Sequence, residues 1–238
     1  MANVLQTEPI APASRMRAAI LGAALTVLTL AGGMIAGTMV ASVTFQALSG
    51  RVPGSLSETI ALLVFSASTL VSSALWGVGM ARLAQVSAWR RVAWAGILGF
   101  VPITILLIFG LQAAEPIVFR TNLPLHRLFT VLFVPSAGLI AAMSSLALAW
   151  ALGWGRTAPA LALRVGLTAA LAFLAVNLGM EALGWQVGGP GAAERATMLT
   201  VLNVSNLGAA LAGGAILGLK LAQPQSSQSP SDNATLRP

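Results

Sequence analysis

The chain predicts an all-α integral membrane protein, six transmembrane helices in an up-down bundle, with the N-terminus and C-terminus both cytoplasmic. Three observations carry that prediction. Six runs contain no Asp, Glu, Lys or Arg: Ala18–Leu48, Thr59–Ala81, Val92–Ala114, Leu128–Gly155, Val165–Met180 and Ala196–Leu219. A hydrocarbon core of roughly 30 Å takes about 20 apolar residues as a helix, so all but the fifth run suffice outright, and the fifth suffices if Arg164 snorkels. Next, 57% of the 238 residues are hydrophobic and 8% are charged, against about 25% charged in a soluble domain. Such a chain cannot build a water-compatible surface. Lastly, basic residues are retained on the cytoplasmic side. With the N-terminus inside, the inner segments hold Arg15, Arg17, Arg82, Arg90, Arg91, Arg156, Arg164, Lys220 and Arg237, and the outer loops hold only Arg51, Arg120, Arg127 and Arg195.

The elements follow in order. Residues 1–17 form a polar leader ending in Arg15 and Arg17. The apolar run behind it is 31 residues long, whereas the core of a removable signal peptide has roughly 7–15, so it is expected to stay as helix one, about 18–48. At 1.5 Å per residue it measures roughly 46 Å and must tilt, kink or project. Gly32, Gly33 and Gly37 are the expected bend sites, and Gln46–Pro53 is expected in the outer interface. Helices two to six are expected at about 59–84, 90–114, 128–153, 158–183 and 196–220. Short turns near Gln85–Trp89 and Trp154–Thr157 make consecutive helices antiparallel neighbours. The longest link, Glu115–Arg127, contains the breakers Pro116, Asn122 and Pro124. Pro102 and Pro135 fall inside helices three and four, where neighbouring helices can satisfy the lost backbone bond, and packing is a better reason for them than gating. Indole prefers the interface: Trp89, Trp94, Trp150 and Trp154 sit at inner ends and Trp185 at an outer end, while Trp76 is an exception inside helix two. Residues 222–238 are rich in Ser, Pro and Gln and are expected to be a disordered tail.

Composition also bounds the function. The net charge is +7, but the basic residues are scattered at helix ends rather than gathered on one face, so no nucleic acid partner is expected. There is no cysteine, which removes disulfides and thiolate chemistry. The excess of Arg over Lys, with much Ala, Leu and Gly, points to a GC-rich bacterium and hence to the bacterial cytoplasmic (inner) membrane. A serine nucleophile needs an activating base, and helices two and four offer Ser66, Ser68, Thr69, Ser72, Ser73, Ser144 and Ser145 without one. Those hydroxyls are expected to line a seam or to bond their own helix carbonyls. The protein is therefore read as not an enzyme, with no cofactor and no metal.

The sharpest polar cluster lies at the outer ends of helices five and six. Asn177 and Glu181 share a face, and Thr197, Thr200, Asn203 and Asn206 step along helix six at threes. In an antiparallel hairpin Asn177 and Asn203 reach similar depth and are expected to be able to meet. The cluster is structural glue between helices or, as the functional alternative, a vestibule for a small solute. His126, at the outer start of helix four, is a possible interface ligand to a haem or pigment, though a solvated loop histidine is the commoner case. Arg164 is expected to snorkel.

Small residues recur at four-residue spacing: Ala19 and Ala23, Gly33 and Gly37, Gly214 and Gly218. This spacing lets helices approach closely, within the bundle or against another subunit. Gly79–Leu83 and Gly179–Leu183, with Gly33–Ala36 and Gly138–Ala141, hint at an inverted repeat of three helices, but short matches come cheaply in this composition. The leading expectation is an accessory or scaffold subunit in contact with the lipid bilayer and with other membrane proteins or further copies of itself. The alternative is a small-solute transporter or substrate-binding membrane subunit.

Overall fold

A computed structural model describes residues 12–102, 125–185 and 192–223, and among these every regular element is helical. The first helix is α1 (Pro12–Thr26), a π-helical segment (Val27–Ala31) and α2 (Gly32–Leu48) in one run. There follow α3 (Gly54–Leu83), α4 (89–102), α5 (Leu125–Ala151), a 3-10 turn (Gly155–Thr157), α6 (Ala158–Ala182) and α7 (Ala192–Leu221). Five stretches are long and apolar enough to cross a membrane: Ser14–Leu48, Gly54–Leu83, Thr130–Ala151, Gly155–Ala182 and Thr200–Leu221. Most of the expected third span, residues 115–124 of the expected link, part of the loop before Glu194 and residues 224–238 of the tail lie outside the described residues, while the end of the link, from Leu125, is already helical in α5.

Helix ends depart from the uncharged runs in one consistent way. Residues 12–17 were expected in the polar leader, yet they are helical, and Arg15 and Arg17 are exposed on α1. Helix two starts at Gly54 rather than Thr59: Pro53 precedes it, and the buried Ser57 hydroxyl donates to the Gly54 carbonyl at 2.8 Å, so Glu58 lies inside the helix. Helix six starts at Ala192 and takes in Glu194 and Arg195. Charge-free runs mark what sits in hydrocarbon, whereas a helix continues through the interface, where a charge is tolerated.

The irregularity in the first helix falls just ahead of the glycines expected to bend it. Thr26 and Thr29 donate to the carbonyls of Gly22 and Leu25, at 2.8 and 2.7 Å, in the turn where the π segment begins. Back-bonding of this kind also runs along α3, which stays a regular α-helix, so it does not by itself set the π segment. Gly33 and Gly37 serve packing instead, with Ser72 and Ser68 of α3 pressed against them.

Close approaches carry the bundle round a ring in chain order. Gly22 of α1 meets Gly214 and Gly218 of α7, and α2 lies on α3 through Gly33 and Gly37. A Cβ on Gly77 of α3 would stand 2.5 Å from the Val92 carbonyl of α4, and one on Gly99 of α4 would stand 2.8 Å from Ser144 Cα of α5. Gly138 and Gly166 oppose each other across α5 and α6, and Gly208 of α7 meets Val176 of α6. Without a hydrophobic drive between helices in lipid, this near-backbone packing is what holds them. The outer surface is correspondingly apolar, with Leu28 75%, Met39 65% and Leu171 64% exposed.

The two glycines that open the repeat motifs do different work. Gly79 is covered by the Leu25 side chain, whereas a Cβ on Gly179 would meet nothing within 4 Å.

Candidate functional site

Most of the hydroxyls in α3 are spent on their own helix. Ser66, Ser68, Ser72 and Ser73 donate to the carbonyls of Leu62, Val64, Ser68 and Thr69, and Thr69 donates to that of Ser66. Of the two alternatives open in the sequence, back-bonding is the one observed. Trp76, the tryptophan out of place for an interfacial belt, is 1% exposed, and its Nε1–H donates to Thr26 Oγ1 at 3.1 Å. The Thr26 hydroxyl in turn donates to Gly22 O, so this buried polar pair is satisfied and ties α3 to the first helix.

The expected polar cluster is divided between neighbours. Asn177 is buried, and its Nδ2–H donates to Thr130 Oγ1 of α5 at 3.0 Å, so this amide bridges α5 and α6 rather than pairing with Asn203. Glu181 stands one turn further along α6 and is half-buried, as are Thr200 and Asn203 on α7. Asn206, also half-buried, lies on the wall of an interior cavity. His126 falls in the first turn of α5 rather than in a loop, with its side chain outside the described residues. Arg164 is exposed on α6.

That cavity, about 80 Å³, is the site the tertiary structure adds. All the helices contribute to it: the π segment through Leu30 and Ala31, α3 through Trp76, α4 through Phe100, α5 through Ser144, α6 through Ala169 and α7 through Asn206. It is open because Ala137, Ala141, Ala169, Ala209 and Gly213 face it where larger side chains would fill it. Its wall is almost wholly apolar. One polar atom is conspicuous: Ser144 is 3% exposed, and its Oγ has no hydrogen-bond partner among the described residues. Ser205 Oγ, fully buried on α7, is the other such atom.

A void of this size exceeds what a water molecule needs and is about half the ~150 Å³ in which an engineered apolar cavity holds benzene. An unmet buried hydroxyl such as that of Ser144 costs about 1–3 kcal/mol. Comparison with known proteins finds no matching family model, no similar curated protein and no similar solved structure.

Sequence reasoning had Ser144 only as one hydroxyl among several, and it missed Thr26, Ala169 and Gly213. Alanines and glycines are so common here that those lining the cavity carry no mark of their own. The one available signal was Trp76, whose depth demanded a buried hydrogen-bond acceptor.

Proposed function

We propose that this protein is a non-enzymatic, multi-pass membrane protein that takes a small, mostly apolar molecule bearing one hydrogen-bonding group into the centre of its bundle. It would serve as a small-solute transporter or as a substrate-binding membrane subunit. The observation that carries this reading is the cavity itself, to which every helix contributes and on whose apolar wall the half-buried Asn206 stands. A ligand that fills the space gains dispersion contacts with that wall. Hydroxyl and amide groups without an activating base bind rather than turn over, which supports a non-catalytic role. Placement in the bacterial cytoplasmic membrane, with the Arg-rich turns inside, rests on the asymmetry of basic residues and the tryptophans beside them.

The test is thermal unfolding of the purified protein in mild detergent against small alcohols, ketones, amides and alkanes. At least one class is expected to raise the midpoint, less so in Asn206→Ala and not at all in Ala169→Leu. No shift with any of them, in a protein whose Ala169→Leu form is simply more stable, overturns the reading.

Association with another membrane protein is a second reading, and one observation favours it. Between α2 and α3, towards the Ser49–Pro53 turn, lies a cleft of about 670 Å³ lined by Thr38, Ser42, Phe45, Glu58, Thr59 and Phe65. Such a mixed polar surface suits a partner helix better than lipid tails. The small-residue pairs expected to serve docking support it less, because Gly33, Gly37, Gly214 and Gly218 are used within the bundle. Replacing Ala61, which lines this cleft, by Trp is expected to release any co-purifying chain, and retention of that chain excludes the cleft as its seat.

A further inference from the structure

We infer that the α4–α5 pair, at the end of the bundle carrying the Arg-rich turns, forms a binding site for an anionic phospholipid. Its phosphate lies against Arg90 and Arg91, and its acyl chains run along Trp94, Leu98, Met143 and Trp150. The site is separate from the central cavity and does not depend on it.

Three features point to this ligand. The two helices are held in register by close contacts: Arg91 Nη2–H donates to the Trp150 carbonyl at 3.4 Å, and Gly99 rests against Ser144 and Met143 further in. That register sets Arg91, Trp94 and Leu98, spaced i, i+3 and i+7 on α4, beside Met143 and Trp150 on α5. The stripe faces outward, with Trp94 63%, Leu98 64% and Trp150 61% exposed, and no described part of this chain covers it. Indoles at this level belong to the headgroup boundary.

Among the described residues the charge is uncompensated. Arg90 and Arg91 are both exposed, Arg90 stacks on Trp89 at 5.4 Å from the ring, and the single bond from Arg91 is long. The described acidic residues Glu58, Glu181 and Glu194 sit at the start of α3, the end of α6 and the start of α7, all at the opposite end of the bundle. Guanidinium groups present a planar fork that matches phosphate oxygens two at a time. A zwitterionic headgroup carries its own cation beside the phosphate and would gain less. Lys220, at the same end, is engaged with Gln223 Oε1 at 3.0 Å and with the Trp154 ring, so it serves as a control rather than as part of the site.

The experiment uses the full chain in mild detergent, titrated with phosphatidylglycerol or phosphatidylcholine carrying brominated acyl chains, with tryptophan quenching and native mass spectrometry as readouts. Phosphatidylglycerol is expected to quench and to stay bound, and raised salt weakens it. The double substitution Arg90→Ala, Arg91→Ala is expected to lower its affinity roughly thirtyfold, the combined share of two basic residues at a membrane surface, while Lys220→Ala leaves it unchanged. Should the double variant fail to fold, the lipid comparison on the unaltered protein decides alone. Equal binding of the two lipids, or displacement of phosphatidylglycerol by inorganic phosphate, overturns the proposal.

Discussion

At the scale of single residues, the bundle depends on a few polar atoms whose partners are well defined. Thr26 Oγ1 is the acceptor for the buried Trp76 indole, so Thr26→Val strands an N–H in the interior. The loss is expected to be about 1 kcal/mol, the range found for interhelical hydrogen bonds in membranes, and a double-mutant cycle with Trp76→Phe in reversible unfolding checks it. Turn geometry supplies a second case. Three helices end alike: Val86 N–H bonds Ala81 O at 2.9 Å, Trp154 N–H bonds Ala149 O at 2.9 Å, and Trp185 N–H bonds Met180 O at 3.0 Å. The residue before each donor has positive φ, and it is Gly153 and Gly184 in two of them but Gln85, at φ 55°, in the third. A side chain there is strained, so Gln85→Gly is expected to stabilise the protein by about 0.5–1 kcal/mol in the same unfolding measurement.

At the scale of helices, glycines divide by what faces them. On Gly214 a Cβ would lie 2.6 Å from the Gly22 carbonyl and from Thr26 Oγ1, and neither helix backbone can withdraw without opening α1 from α7. Gly214→Leu is expected to cost more than the 1–3 kcal/mol typical of overpacking, seen as loss of a monodisperse peak. Gly179, with open space beside it, should accept Ala at no cost or with a gain of up to about 1 kcal/mol from helix propensity. The sequence marked Gly214 by its spacing from Gly218 and Gly179 only within a repeat motif, and the neighbouring helix alone tells which of them is filled.

At the scale of the whole molecule, a ring of helices with apolar outsides and small inner residues leaves a hollow that dense packing would otherwise remove. Ser144→Ala removes a hydroxyl that has no partner among the described residues. The variant is therefore expected to be more stable by about 1 kcal/mol while its response to added solute stays that of the parent protein. Calorimetry with and without the solute separates the two effects. A variant that loses stability instead would show that Ser144 has a structural partner.

The sequence by itself determined the membrane character of the chain and the approximate limits of its spans, because long uncharged apolar runs have no other stable solvent than lipid. It also showed which tryptophan was out of place. Only the tertiary structure decided where each helix truly begins, that Asn177 bonds Thr130 across α5 and α6, and that Asn206 and Ser144 share one cavity wall. The reason is physical: hydropathy is a sum along the chain, whereas a cavity depends on which faces of the helices turn towards each other.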